Sequence, residues 1–189
     1  MSEISDYTLA EYVAELRRIT STTSDYAEIF EQVSPLARKL ALSRENWLSP
    51  NHYSTNPEQG FTAHLLHEEP DHSLAVFAVA WAPKGGTPPH DHGTWVVVAG
   101  VDGMEYNIKY NRLDDRSREG YAELEERCAF LADVGEVICL KPRGIHLVRN
   151  DTDEVTVSLH TYGRHFDHND RTAFDLDTNK TVPLVVDVR

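Results

Sequence analysis

His90 and His92 flank a single aspartate, follow a Gly-Gly-Thr-Pro-Pro turn and precede an apolar run that begins near Trp95. Side chains alternate along an extended chain. Both imidazoles can therefore face one ion at roughly 2.0–2.2 Å while Asp91 points away. On its own, such a pair is also explained by two polar residues on a solvent-facing turn. Ser158, His160 and Tyr162 have the same alternate spacing. On a strand their hydroxyl, imidazole and phenol share one face and can form a hydrogen-bonded line, although a solvated strand face would carry the same pattern.

The elements that must position these groups fall into two parts. From Tyr7 to Ile19, Leu9, Tyr12, Val13, Leu16 and Ile19 recur at three- and four-residue steps, with Ser5 or Asp6 available as a cap. A second helical period, Tyr26, Ile29, Phe30, Val33, Leu36 and Leu40, follows Ser24 and contains Pro35, which is expected to kink or split it. After Pro50 come short runs rich in β-branched and aromatic residues: 61–67, 73–81, 95–101, 104–110, 137–140 and 156–162. Gly, Pro, Asp and Asn separate them, a spacing that predicts a sandwich or barrel. Asp102-Gly103, between two such runs, predicts a tight hairpin. The charged stretch Asn111 to Tyr121 predicts a solvated hairpin, and the tail from about Arg164 is expected to wrap the barrel. One domain results, with helices over residues 1–50 packed on a barrel over 51–189.

A second segment makes the pattern specific. Gly135 opens a strand-like run that leads through Pro142-Arg143-Gly144 to His146 and then Asn150. This resembles the second motif of the cupin superfamily, and His90-x-His92 followed by a strand and Gly103 resembles the first. The resemblance implies a mainly β double-stranded β-helix, a cupin or jelly-roll barrel, with a metal held by His90, His92 and His146. One departure has a chemical consequence. The usual first motif supplies a glutamate four or five residues after its second histidine, where this chain has Val96 and Val97. Three neutral imidazoles leave the ion cationic with about three open positions, a site that favours anionic ligands.

The segment Ser158-Leu159-His160-Thr161-Tyr162 is similar to the Ser-x-His-x-Tyr triad of thiol dioxygenases, beside a three-histidine iron site that also lacks the glutamate. In bacterial relatives resembling 3-mercaptopropionate dioxygenase an arginine placed like Arg171 binds the substrate carboxylate. Arg164 is the rival. A planar guanidinium fork suits that role. Gly103-Met104-Glu105-Tyr106 resembles a stretch in the same group, so Glu105 either braces the site or forms a cross-strand surface ion pair. The resemblance covers roughly residues 74–175. It implies a non-heme Fe(II) enzyme that adds O2 to the sulfur of a small anionic thiol to give a sulfinate, with Ser158, His160 and Tyr162 orienting the reactants. Diketone cleavage, isomerisation and a non-catalytic anion-binding barrel are the alternatives. Imidazole also suits Mn, Ni and Zn. His52, His64, His67 and His72 are outside candidates for a fourth ligand.

Composition limits the partners. Eighteen basic and thirty-one acidic residues give a formal charge of −13 over 189 residues, which repels nucleic acid. The first twenty residues lack the pattern of a secretory signal, and no run approaches a membrane span, so a soluble, cytoplasmic protein is expected. Cys128 and Cys139, in or beside apolar strand-like segments, are expected as small buried hydrophobes rather than a disulfide. Neither lies in the strand after His92, so no thioether link to Tyr162 is expected. Oligomeric state stays open.

Overall fold

Two amphipathic helices open the computed structural model, which describes residues 6–188. The first, α1, spans Leu9–Thr22 and the second, α2, Tyr26–Leu42. Ser5 lies outside the described residues, and Thr8, not Asp6, caps α1. Glu11 explains the choice, because its side chain returns to Thr8 and completes a reciprocal capping box. Asp25 caps α2 by accepting from the backbone of Ala27 and Glu28. Contrary to expectation, α2 runs unbroken through Pro35. Pro35 and Glu31, whose carbonyl loses its partner, are both exposed, so water can take the freed acceptor. No described helix is long and apolar enough to cross a membrane.

Ten strands follow: β1 (Phe61–Glu68), β2 (Ala75–Trp81), β3 (Val96–Asp102), β4 (Glu105–Arg112), β5 (Leu124–Ala132), β6 (Val137–Leu140), β7 (Ile145–Arg149), β8 (Thr156–Tyr162), β9 (Thr172–Phe174) and β10 (Thr181–Pro183). One sheet has the order β1-β2-β8-β3-β6, and a second has β5-β4-β7. His90 bridges β7 on one side and Ala173 of β9 on the other, and β9 pairs with β10, so the second sheet continues to the tail. Apart from the β1–β2, β4–β5 and β9–β10 pairs, which stay within a sheet, the chain passes from one sheet to the other between consecutive strands, from β2 to β3 by way of His90. This is the double-stranded β-helix.

That crossing explains why Asp102-Gly103 is not a hairpin. β3 pairs with β8 and β6, whereas β4 pairs with β5 and β7, so the turn carries the chain between sheets. Gly103 has φ +75°, and a β-carbon there would lie 2.5 Å from Thr156 Cγ2. Asp102 is tied instead to Tyr53 and Arg44, at 2.6 and 2.7 Å. The strand β5, not anticipated, is a sheet edge with most of its side chains exposed, and Cys128 stands on it in solvent rather than in the core. Residues 113–123 are the β4–β5 hairpin connection, organised by Asp114, which accepts from Arg112 at 2.8 and 2.9 Å.

Sheet faces decide what reaches the barrel interior. On β2, Val76, Ala78 and Ala80 meet the helices, while Phe77, Val79 and Trp81 face inward, which is why the whole strand is buried without polar alternation. β8 divides in the same way. Val157 and Leu159 pack on the helices, and Tyr12 of α1 bonds Thr161 at 2.7 Å in the buried interface. Ser158, His160 and Tyr162 are thereby turned inward. Tyr12→Phe should leave the buried Thr161 hydroxyl unpartnered and cost about 1–2 kcal/mol. In thermal unfolding this is a fall of roughly 3–6 °C in Tm; an unchanged Tm would show that the helix does not brace β8 through this bond.

Candidate metal centre

His90 and His146 are fixed to each other before their side chains matter. His90 N–H donates to the carbonyl of His146 at 2.8 Å, and His146 N–H returns to that of His90 at 3.1 Å. His92 belongs to no regular strand; it lies in the irregular segment ahead of β3, and Gly93, at φ +65°, turns the chain away behind it. Asp91 faces the other way and accepts from Thr172 N–H at 2.9 Å, attaching this segment to β9. The three imidazole rings converge with centroids 4.8, 4.8 and 5.0 Å apart. One nitrogen from each lies within 4.8 Å of the others.

The donor set fits a divalent transition metal. All three side chains are buried, at 4, 1 and 1 % exposure for His90, His92 and His146. His90 Nδ1 contacts the carbonyl of Pro88 at 3.0 Å, and His146 Nδ1 contacts Asn107 Oδ1 at 3.2 Å. Each partner is an acceptor, so Nδ1 carries the hydrogen and Nε2 keeps its lone pair for a ligand bond. Burial holds all three imidazoles neutral, His90 at about 3 with the charge of Arg171 adding to the effect. Neutral imidazole is the form that ligates. Among the described residues no carboxylate joins them; Val96 and Val97, at the glutamate positions, are core residues.

Beside the histidines runs a hydrogen-bonded line. Ser158 Oγ and His160 Nε2 are 2.9 Å apart, and His160 Nδ1 and the Tyr162 hydroxyl are 3.1 Å apart. Tyr162 ends 6.1 Å, ring to ring, from His92. Behind Ser158, the Trp81 indole donates to its hydroxyl at 3.0 Å. Burial keeps His160 neutral, at about 3, and pushes the Tyr162 phenol up, partly offset by Arg171. Arg171 is 7 % exposed, lies over the Phe166 ring at 4.9 Å and has a buried Nε with no partner.

The space enclosed by these groups is small, about 20 Å³, and is lined by His90, His146, His160, Tyr162 and Arg171 with an apolar wall that includes Phe61 and Val186. Val186 comes from the tail, which is held by Leu184 N–H on the carbonyl of Arg171 and by Asp187 N–H on Gln59, both at 2.9 Å. Arg171 also lines an outer groove of about 670 Å³ between β9, β10 and the Glu119–Gly120 turn. The guanidinium therefore separates cavity from groove.

Arg164 is exposed and borders a different surface hollow. Glu105 is not at the surface: it is 4 % exposed, with one oxygen unpartnered, and burial raises its carboxyl to about 7. His52 and His64 bond to backbone, and His67 to Glu69, so none is a fourth ligand. His72 bonds Glu68 at 2.6 Å and groups with His168, but those two rings stack 3.5 Å apart rather than converging on a point. Cys139 faces the helices and bonds Ser34 at 3.2 Å, on the opposite side of the sheet from Tyr162. Asn107 is the positioning group that sequence inspection missed; its place two residues after Glu105 on an inward strand face was the available signal.

No protein-family model matches the chain. Among solved structures, an uncharacterised Klebsiella pneumoniae protein with a double-stranded β-helix domain is similar at 12 % identity over 68 % of this chain and 96 % of that one, with a TM-score of 0.46. An oxalate oxidase in complex with glycolate is similar at 19 % identity over 56 % of this chain and 52 % of that one (TM-score 0.44). The Schizosaccharomyces pombe Cnp3 cupin domain gives 13 %, 57 %, 66 % and 0.43. The matches span about half the length of the oxalate oxidase chains, 42 % of one and 52 % of another.

Two measurements test the site. Asn107→Ala should weaken metal binding roughly tenfold to a hundredfold in chelator competition, because it frees the His146 ring, while His92→Ala should abolish binding. Retention of full affinity in both would remove the site. Acid stability follows from the buried neutral histidines. Unfolded chains take up protons below about pH 6.5 where folded His160 does not, so stability is present above that pH and lost as pH falls from it toward about 3. The urea midpoint of the metal-free protein should decline across that window.

Proposed function

We propose that this protein is an Fe(II)-dependent thiol dioxygenase that converts a small thiol carboxylate, of the 3-mercaptopropionate or cysteine type, with O2 to the sulfinate. The observation that carries this reading is Arg171, whose buried Nε has no hydrogen-bond partner and which lines the same small cavity as His90, His146 and Tyr162. A ferrous ion held by the imidazoles would supply the coupling of sulfur to O2 and would favour the thiolate over the thiol.

The chain's own residues divide the remaining work. Arg171 binds the carboxylate with its parallel N–H donors, in a water-poor setting where an unpaired cation gains most from an anion. The distance between a carboxylate on Arg171 and a sulfur near the histidines fixes the length of the substrate. Tyr162, held by His160 and Ser158, presents its oxygen to the cavity in one orientation. Phe61, Val79 and Val186 exclude water. The protein's net charge of −13 works against anions at long range, so recognition rests on these local groups.

The test is anaerobic addition of 3-mercaptopropionate, cysteine or cysteamine to the Fe(II)-loaded protein, followed by O2 and detection of product. Sulfinate should form from the carboxylate-bearing thiols, and its absence with all three sinks the proposal. Arg171→Gln should raise KM for the carboxylate thiols by about tenfold or more. Cysteamine, which has no carboxylate, should be indifferent to that change. Equal loss with every thiol would mean that Arg171 holds the fold rather than the substrate.

A further inference from the structure

Outside the barrel interior, a second group of ligand-type side chains stands where the β1–β2 turn meets the connector that leads from Tyr162 to Arg171. Glu68 ends β1, and the turn after it is closed by His72 N–H on the Glu69 carbonyl at 2.8 Å. His72 takes φ +63° there, a conformation that residues other than glycine seldom adopt, and its Nδ1 lies 2.6 Å from Glu68 Oε1. From the connector, His165 N–H donates to the His72 carbonyl at 3.0 Å. This main-chain bond registers the two segments, and the His168 ring meets that of His72 with 3.5 Å between centroids. One ligand atom from each of Glu68, His72 and His168 lies within 4.8 Å of the other two, the same limit that describes His90, His92 and His146.

We infer that Glu68, His72 and His168 form a second metal site, for a divalent ion of the zinc class, which clasps the connector to the β1–β2 turn. Two imidazoles and a carboxylate are a set that zinc accepts when water completes its shell. Unlike the three-histidine group, this one contains an anion, so a bound ion keeps one net positive charge rather than two. The overall charge of −13 also draws cations toward the surface, where this group lies.

His165 belongs to the arrangement without being a ligand. Its Nδ1 accepts from Asp167 N–H at 3.1 Å, which leaves the hydrogen of the neutral ring on Nε2. Nε2 is 4.0 Å from Glu68 Oε1, so this ring turns a positive edge to the carboxylate and has no lone pair to give a metal.

Two local changes admit the ion. His72 Nδ1 gives up its hydrogen bond to Glu68, the ring hydrogen moving to Nε2, and both atoms turn to the metal. His168, an exposed side chain, swings its ring off the face of His72 so that the lone pairs converge. The main-chain bond between the segments is untouched by either. Because the connector carries Phe166, over whose ring Arg171 lies, an ion here would stiffen the inner cavity's wall from outside it. The inference does not depend on the chemistry proposed for the inner site.

Equilibrium dialysis of the full chain against micromolar Zn(II) counts the ions. Wild-type protein should hold one more Zn(II) per chain than His168→Ala, and the same difference should separate His92→Ala from the protein carrying both changes. Glu68→Gln, which keeps the size of the side chain and loses its charge, should weaken the second ion by about tenfold or more. In NMR spectra of His92→Ala, Zn(II) should shift the ring signals of His72 and His168 and leave those of His64 in place. Equal zinc content in wild type and His168→Ala, or a second ion taken up only at millimolar Zn(II), overturns the inference. Failure of the inner site would look different: His92→Ala would bind as much zinc as wild type, while the loss caused by His168→Ala would persist.

Discussion

Two backbone hydrogen bonds between His90 and His146 hold together everything that could do chemistry in this protein. They join an irregular segment, which follows a double-proline turn, to a regular strand 56 residues away in sequence. In doing so they set two of the imidazoles side by side and complete the second sheet of the barrel. The same segment reaches β9 through Asp91 and Thr172, so the position of Arg171 is inherited from that of His90. The charged group and the neutral donors are therefore registered to one another through main chain, which is stiffer than any side-chain contact.

On the other sheet, β8 carries its three polar residues into the barrel because its other face is required elsewhere. Val157, Leu159 and Thr161 are committed to the two leading helices. A slip of one residue would put Ser158, His160 and Tyr162 against α1 and α2 and drive two aliphatic side chains toward the three histidines. The helices thus act on the site through register, at a distance, without contributing a group to it.

Much of this was readable in the chain. Alternation located Ser158, His160 and Tyr162 on one face, and the apolar run from Ala75 to Trp81 marked a strand buried on both sides. Elsewhere local pattern misled. Asp102-Gly103 has the residues of a hairpin, but turn chemistry specifies a reversal and not the sheet in which the next strand finds its partner. β5 was invisible because a sheet-edge strand with outward Glu and Arg lacks an apolar period. Glu105 was ambiguous for a different reason: what makes a carboxyl buried is what stands across the barrel, and those residues arrive there from other strands. Likewise Arg164 and Arg171 are the same residue type two and nine positions after the end of β8, and only burial distinguishes them.

The narrowness of the inner cavity has a kinetic meaning. At about 20 Å³, the space accepts water but not an organic acid, so part of its lining, which includes Val186 of the tail, has to shift to admit any such molecule. The segment that carries Val186 is attached by few bonds, to Gln59, the Arg171 carbonyl and Ala63, the kind of element that opens far below the cost of global unfolding. Entry of an organic ligand is then tied to a rearrangement of the lining, which slows association below that of a preformed open site, whereas water needs no such rearrangement.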